Sequence, residues 1–199
     1  LMDPRQLIAL LTELPWTGYA ADFNPVSVEI RQPFWQWSLM ARALVPTVLA
    51  HDNRIVSITG SQGSGKSTLA RMLVQQFKAQ GVTAVCVSLD DFYLSKQHRA
   101  NLGHSVHPLL ATRGVPGTHD TGRLGEVLDQ FAHSKGRLNM RLPQFDKGLD
   151  DRVEDLHVEA EVLVFEGWCL GVQPQPAELL QQPVNDLERL EDSQGIWRQ

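Results

Sequence analysis

The residues Gly60-Ser61-Gln62-Gly63-Ser64-Gly65-Lys66-Ser67 decide the fold class of this 199-residue chain. Glycines in this pattern let the backbone turn sharply and approach phosphate groups, so that successive amides surround an anion. The apolar stretch 54–59 before them predicts a buried strand, and Leu69, Leu73 and Phe77 after them recur at helical spacing. A strand, this loop and a helix together predict a phosphate-binding loop, with the positive end of the helix adding to the anion site.

The residues of this loop predict binding of a nucleoside triphosphate with Mg²⁺. We expect the Lys66 ammonium to lie on the β and γ phosphates and the Ser67 hydroxyl to bind Mg²⁺. A glycine turn without function is the alternative, but the position between a strand and a helix argues against it. The residues predicted to bind the nucleotide are Gly60, Ser61, Gln62, Gly63, Ser64, Gly65, Lys66, Ser67 and Thr68.

The rest of the chain alternates between strand-like and helix-like patterns. Strands are predicted at 82–88 and at Val162-Leu163-Val164-Phe165, and a helix between them carries Leu124, Val127, Leu128 and Phe131. Strands that alternate with helices predict an α/β fold with a parallel sheet. The polar segments 90–120 and 137–155 are interpreted as loops, and the length of the first suggests a functional loop.

The first 50 residues predict helices ahead of the nucleotide-binding part. Asp3-Pro4 and Asn24-Pro25 are typical of helix starts, and 34–49 is apolar at helical spacing. We therefore predict one domain over 1–199, with an N-terminal helical extension (1–50) and a nucleotide-binding core (51–199). The segment 177–190 also has helical character.

The composition argues against several function classes. The formal net charge is −5, whereas nucleic-acid-binding domains usually carry a basic excess, so we expect no nucleic-acid partner. No apolar stretch approaches the roughly 20 residues of a membrane span, and no secretory signal pattern opens the chain. These features predict a cytoplasmic protein without membrane contact. Cys86 and Cys169 are expected to be buried, reduced thiols.

Two carboxylates follow the second predicted strand. Asp90 and Asp91 lie at its carboxyl end, which is where ligands bind in open parallel sheets. Such a pair allows one acid to act as a base while the other orders the loop or a metal. A helix cap or turn acid is an equally good interpretation of either residue.

A third acid, Glu166, ends the strand 162–165. An apolar strand that ends in an acid is typical of the second nucleotide motif, whose carboxylate reaches Mg²⁺, usually through water. Many strands end in an acid, so it is the pairing with the phosphate-binding loop that favours a metal role.

Two polar loops carry further candidates. In 113–120, Arg113 could hold an anionic substrate by a two-pronged contact, whereas Asp120 could equally cap the helix that begins near Arg123. The segment 143–147 combines an acid and a base with an aromatic residue. The histidines lack metal-ligand spacing and are interpreted as ordinary surface or loop residues at 98, 104, 107, 119, 133 and 157.

Four motifs, in this order after the phosphate-binding loop, make the sequence resemble a known family. They are Asp90-Asp91-Phe92-Tyr93-Leu94, the segment 113–120, the segment 143–147 and Phe165-Glu166-Gly167-Trp168-Cys169-Leu170-Gly171. The sequence from about residue 50 onward is similar to the plant-type D-glycerate 3-kinase family. That family lies in the uridine kinase and pantothenate kinase branch of P-loop kinases.

The resemblance implies a three-layer α/β/α fold and transfer of the γ-phosphoryl of ATP to D-glycerate, giving 3-phosphoglycerate. It implies that Lys66 and Asp90 are catalytic, with Asp90 as the base that orients the acceptor hydroxyl. Ser67, Asp90 and Glu166 would form the metal site. The residues implied near the acceptor are Asp91, Tyr93, Arg113, His119 and Asp120.

The C-terminal part departs from the family pattern. The family's sheet has the order 2-3-1-4-5, yet only three parallel strands and no arginine-rich lid are recognisable here. We therefore expect a C-terminally truncated form that binds nucleotide and catalyses poorly, because lid cations stabilise the transition state. The strand before the phosphate-binding loop would have one open edge, and the alternative to truncation is that a partner, such as a second copy in a homo-oligomer, covers this edge.

Two other functions stay open from the sequence. One is a pantothenate or nucleoside kinase, and the other is a nucleotide-binding fragment or regulatory protein without turnover. A GTPase switch is disfavoured because no Asn-Lys-x-Asp motif occurs, and a transporter ATPase because no Leu-Ser-Gly-Gly-Gln signature occurs.

Overall fold

The computed structural model of the chain describes residues 34–51 and 53–198. The helix starts expected at Asp3 and Asn24 lie outside these residues. The elements follow the order α1 (Phe34–Ala50), β1 (Ile55–Thr59), α2 (Lys66–Ala79), β2 (Ala84–Ser88), α3 (Lys96–Ser105), α4 (Thr121–His133), β3 (Leu138–Asp146), β4 (Asp151–Ala160), β5 (Val162–Gly167) and α5 (Asp186–Glu191).

Strands β1, β5 and β2 form a parallel sheet with β5 in the centre. The register pairs Thr59 with Gly167 and Ser88 with Glu166. The carboxyl ends of all three strands therefore meet at one edge, and the phosphate-binding loop leaves β1 at that edge. The order agrees with the 2-3-1 part of the expected sheet, and β1 pairs with β5 alone among the described strands.

The central strand β5 is buried along its whole length and contributes apolar side chains to both faces of the sheet. Leu163 and Phe165 pack into a cluster with α4 and the β3–β4 hairpin. Val162 and Val164 alternate with them and pack into a second cluster with α1 and α2. The predicted three-layer α/β/α fold is therefore confirmed.

The helices around the sheet agree with the sequence at their apolar positions. The predicted helix over 34–49 is α1, and its buried residues join the same cluster as Leu73 and Phe77 of α2. Gly81, in a left-handed conformation, follows the end of α2, where glycine is favoured. None of the helices in the described part of the chain is long and apolar enough to cross a membrane.

Two segments predicted as loops contain regular structure. The segment 90–120 includes helix α3. Ser95 caps the N-terminus of this helix, and Arg99 is its buried residue. The helix was missed because its buried face is charged rather than apolar. The segment 137–155 belongs to an antiparallel hairpin of β3 and β4, with an irregularity between Leu142 and Gln144.

The C-terminal part forms a 3₁₀ turn (Ala177–Leu180) and the short helix α5. Asp192 is buried and accepts a hydrogen bond from Arg198 Nη1 at 3.2 Å. His107 lies in the loop that follows α3, as interpreted, but it is buried there, 3.6 Å from Asp192. Cys86 and Cys169 are free thiols, as expected, but half-buried.

Candidate active site

A cleft of about 890 Å³ opens at the carboxyl edge of the parallel sheet. The phosphate-binding loop forms one side of it. Polar side chains from the end of β2, from the loop before α4 and from the β3–β4 hairpin form the other side. The lining residues with a predicted role are Gly60, Ser61, Gln62, Gly63, Lys66, Ser67, Asp90, Tyr93, Arg113 and Glu166.

The phosphate-binding loop is held in shape by its own backbone. Gly65 caps α2 in the left-handed conformation, with φ 85°, which favours glycine. A Cβ atom at Gly65 would lie 2.8 Å from the Trp37 ring of α1, so a side chain there would also clash. Lys66 Nζ donates to the Ser61 carbonyl at 3.2 Å. The loop thus has the close backbone approach that phosphate binding needs, and Lys66 is already folded over it.

Ser67 and Glu166 form a pair that fits Mg²⁺. Ser67 Oγ donates to Glu166 Oε1 at 3.0 Å. Glu166 is only 6% exposed, and its Oε2 is buried without a hydrogen-bond partner among the described residues. A buried, unpartnered carboxylate oxygen is costly. A hydroxyl and a carboxylate beside a phosphate-binding loop are oxygen ligands of the kind that Mg²⁺ prefers.

Asp90 lies between two other polar side chains of the cleft. Its Oδ2 is 2.6 Å from Lys147 Nζ, and its side chain is 26% exposed. Tyr93 hydrogen-bonds to Asp90, and burial together with this carboxylate raises the pKa of Tyr93 to about 12. Tyr93 is therefore a neutral hydrogen-bond donor to Asp90 at physiological pH.

Three of the predicted acceptor-site residues lie outside the cleft lining. Asp91 closes the turn after β2, because its Oδ2 accepts the Ser88 amide at 2.9 Å, and burial raises its pKa. Asp120 caps α4 and pairs with Arg152 at 2.9 Å. These contacts favour the cap interpretation for both acids.

His119 is the third of these residues. Its ring stacks on Tyr93 with centroids 4.3 Å apart, and its Nε2 is buried without a hydrogen-bond partner among the described residues. Burial lowers the pKa of His119, although the charge of Asp90 opposes this. A neutral His119 therefore supports the orientation of Tyr93 from behind.

Arg113 lines the cleft but already has an acidic partner. Its Nη1 donates to Asp150 Oδ1 and to the Lys147 carbonyl at 3.4 Å. Asp150 also pairs at 2.8 Å with Arg99, which is fully buried. Burial disfavours the charged form of Asp150, but the two arginines outweigh it and lower its pKa. Any anion at Arg113 would share the guanidinium with Asp150.

The site predicted from the sequence lacks three residues of this region, namely Lys147, Asp150 and Arg99. For Lys147, the sequence of the segment 143–147 shows only a basic residue near an acidic one. Strict alternation of apolar and polar residues over 138–142 would have predicted the first half of β3, although it does not locate the turn at Lys147. Nothing in the sequence pairs Arg99 with Asp150, because 51 residues separate them.

Comparison with known proteins agrees with this geometry. The profile of the "Phosphoribulokinase / Uridine kinase family" matches residues 55–185, from β1 to just before α5. The chain belongs to this family. Family membership and the position of the cleft both agree with a P-loop kinase fold. Membership in this family implies the use of ATP, normally with Mg²⁺.

Individual relatives are similar over part of their length. An uncharacterized kinase of Schizosaccharomyces pombe is 35% identical over 60% of this chain and 47% of its own length. The chloroplastic D-glycerate 3-kinase of Arabidopsis thaliana is 32% identical over 63% of this chain and 30% of its own length. The chain thus spans less than half the length of these curated relatives.

A solved structure, D-glycerate 3-kinase from Cryptococcus neoformans, is also similar. It is 28% identical with a TM-score of 0.51, over 73% of this chain and 55% of that protein.

Proposed function

We propose that this chain transfers the γ-phosphoryl group of ATP to a hydroxyl of D-glycerate, giving 3-phosphoglycerate and ADP. The observation that carries the proposal is the shared cleft, in which Asp90 lies opposite the phosphate-binding loop. Similarity to the Arabidopsis D-glycerate 3-kinase supports the choice of acceptor.

The proposed reaction is an in-line displacement at the γ-phosphorus. The acceptor oxygen forms a bond to phosphorus, the bond to the β–γ bridging oxygen breaks, and ADP leaves. The proton of the acceptor hydroxyl passes to the carboxylate of Asp90. The contact of Asp90 with Lys147 and Tyr93 supports this role, because both hold the carboxylate in a fixed orientation.

In this proposal the loop residues from Gly60 to Thr68 hold the phosphates, with Lys66 as the charged member. Ser67 and Glu166 would hold Mg²⁺, which neutralises charge on the transferred group when bound. The unpartnered Oε2 of Glu166 supports this role. The further expectation that Asp90 binds the metal stays a prediction.

On the acceptor side we propose Arg113 as the cation nearest the glycerate carboxylate. Its position in the cleft lining supports this. Tyr93, Asp91, His119 and Asp120 would act indirectly, since their contacts orient Asp90 or shape the loop around it. The proposed partners are therefore ATP and a small hydroxy acid. A homo-oligomer that covers β1 stays a prediction.

A nucleoside acceptor is the second candidate, because the matched family includes uridine kinases. A panel of D-glycerate, uridine and pantothenate with ATP would separate these functions by ADP release. Turnover of uridine without turnover of glycerate would contradict our choice of acceptor. Binding of ATP with no turnover of any acceptor would favour the nucleotide-binding protein without catalysis.

Asp90→Asn is the variant that tests the proposed base. It keeps the size of the side chain but removes its proton-accepting charge. We expect turnover to fall by about 10²–10⁴-fold, with ATP affinity measured by calorimetry unchanged within about threefold. Turnover equal to that of the wild type would remove Asp90 as the base.

A further inference from the structure

The tip of the β3–β4 hairpin reaches the cleft although the hairpin is no part of the parallel sheet. Lys147 follows directly after β3 and lines the cleft together with Asp90. Its ammonium lies 2.6 Å from Asp90 Oδ2, across 57 residues of sequence. A second polypeptide segment therefore touches the proposed base directly.

Several contacts fix the hairpin tip just after Lys147. Asp150 adopts a positive φ of 56°, which is uncommon for a residue other than glycine, and pairs with the buried Arg99. Asp151 Oδ1 accepts the Lys96 amide at 2.8 Å. Arg152 Nε donates to the Tyr93 carbonyl at 2.8 Å. The tip thus has a defined conformation and is tied to the segment that carries Asp90.

The Lys147–Asp90 pair itself contributes little to folding. The lysine side chain is 63% exposed, and exposed ion pairs gain little net stability because both side chains lose freedom and water screens the charges. The contacts that fix the hairpin tip are therefore better explained by a role of the Lys147–Asp90 pair in the cleft.

We infer that Lys147 is a positioning residue for the proposed base: it holds Asp90 Oδ2 so that Oδ1 faces the acceptor hydroxyl. An ammonium has three donors, and the Asp90 contact uses one of them. Without it, Tyr93 alone restrains the carboxylate, which then spends less time in the productive orientation. This inference rests on the proposed phosphoryl transfer, for which Asp90 is the base.

Lys147→Met tests the inference, because it keeps the length of the side chain and removes the ammonium. We expect kcat to fall about 10- to 100-fold, while KM for the acceptor and for ATP change by less than about threefold. Lys147→Arg restores a cation and should recover much of kcat. Lys135→Met is the matched control, since Lys135 is exposed beyond the end of α4 and outside the cleft lining.

The kinetic constants separate the competing outcomes. A raised KM for the acceptor with an unchanged kcat would assign Lys147 to substrate binding and overturn the positioning role. Full activity of Lys147→Met would also overturn it, while leaving the proposed function intact. If the wild type prefers another acceptor of the panel, the same comparison applies with that acceptor.

A measurement without turnover keeps the inference distinguishable from the proposed function. The NMR signals of the Asp90 amide and carboxyl group should shift in Lys147→Met, return toward the wild type in Lys147→Arg and stay unchanged in Lys135→Met. Unchanged signals in Lys147→Met would overturn the inference even if the wild type turned over no acceptor.

Discussion

The two walls of the cleft are built in different ways. The phosphate wall, residues 59–67 with 166–167, consists of contiguous segments at the ends of two neighbouring strands. The acceptor wall, Asp90, Tyr93, Arg113 and Lys147, consists of side chains from separate segments. Backbone geometry fixes the first wall, whereas long-range ion pairs fix the second. We therefore expect changes in the first wall to alter nucleotide chemistry alone, and changes in the buried Arg99–Asp150 pair behind the second wall to alter stability as well.

The largest effect is expected in the phosphate wall, from Lys66→Met. Loss of the ammonium removes charge stabilisation on the transferred phosphoryl group, so kcat/KM for ATP should fall by about 10²–10³-fold. The thermal midpoint should hardly change, because the hydrogen bond that the Lys66 side chain makes among the described residues goes to the Ser61 carbonyl within the same loop.

Lys78→Met is the matched control for this variant. Lys78 lies exposed in the last turn of the same helix. Comparable loss of activity in both variants, or a large drop in thermal midpoint for Lys66→Met, would break the distinction between the two walls.

An intermediate effect is expected behind the acceptor wall, from Arg99→Met. This change leaves the carbonyls of Leu94 and Asp150 without their guanidinium donor. Loss of such charged hydrogen bonds at a fully buried site should cost about 3 kcal/mol, which lowers the thermal midpoint by about 6–12 °C in a chain of this size. ATP affinity should stay close to that of the wild type.

Arg137→Met serves as its control, because Arg137 is exposed and its ion pair with Glu159 is long, at 3.9 Å. We expect its thermal midpoint to match that of the wild type. Equal destabilisation by the two substitutions, measured by calorimetry, would mean that the buried arginine does not hold the acceptor wall together.

The smallest effect concerns the charge of Asp120. Burial would raise its pKa, but the amide of Arg123 and the guanidinium of Arg152 outweigh it and lower the pKa below 3.8. A lowered folded-state pKa contributes stability above the unfolded value, and this contribution is lost as the pH falls through the folded value. Asp120→Asn keeps the capping oxygen of α4 and removes only the charge.

Urea unfolding at pH 6 should therefore show Asp120→Asn to be less stable by about 0.5–1 kcal/mol. The difference in the free energy of unfolding between the wild type and Asp120→Asn should narrow as the pH falls below 3.8. A difference that stays constant with pH would assign the effect to the amide side chain instead of the ion pair with Arg152.

The same contrast explains what the sequence could predict. The phosphate wall depends on contiguous residues, and the continuous apolar run of β5 predicts a buried central strand. The expectations for α1, α2, α4 and the three parallel strands are accordingly confirmed. These elements place apolar side chains in the core or at its margin, the helices at helical spacing and the strands in short apolar runs.

The acceptor wall could not be predicted from apolar patterns in the sequence. Helix α3 buries Arg99 rather than an apolar stripe, so no helical period appears in its sequence. In each of the pairs Asp150–Arg99 and Lys147–Asp90, the two residues lie more than 50 positions apart in the sequence. Ion pairs across such distances leave no periodic signal, and only folding brings their members together.

The contact between Trp37 and Gly65 has a practical consequence for where this protein can be divided. The family match begins at residue 55, yet the indole of α1 fills the space behind the phosphate-binding loop. Ala41 and Val45 of the same helix are buried against α2. A fragment cut at residue 55 would expose this apolar surface to water and leave the loop without its rear support. The smallest piece suited to expression therefore starts upstream of α1, outside the boundary that similarity alone would suggest.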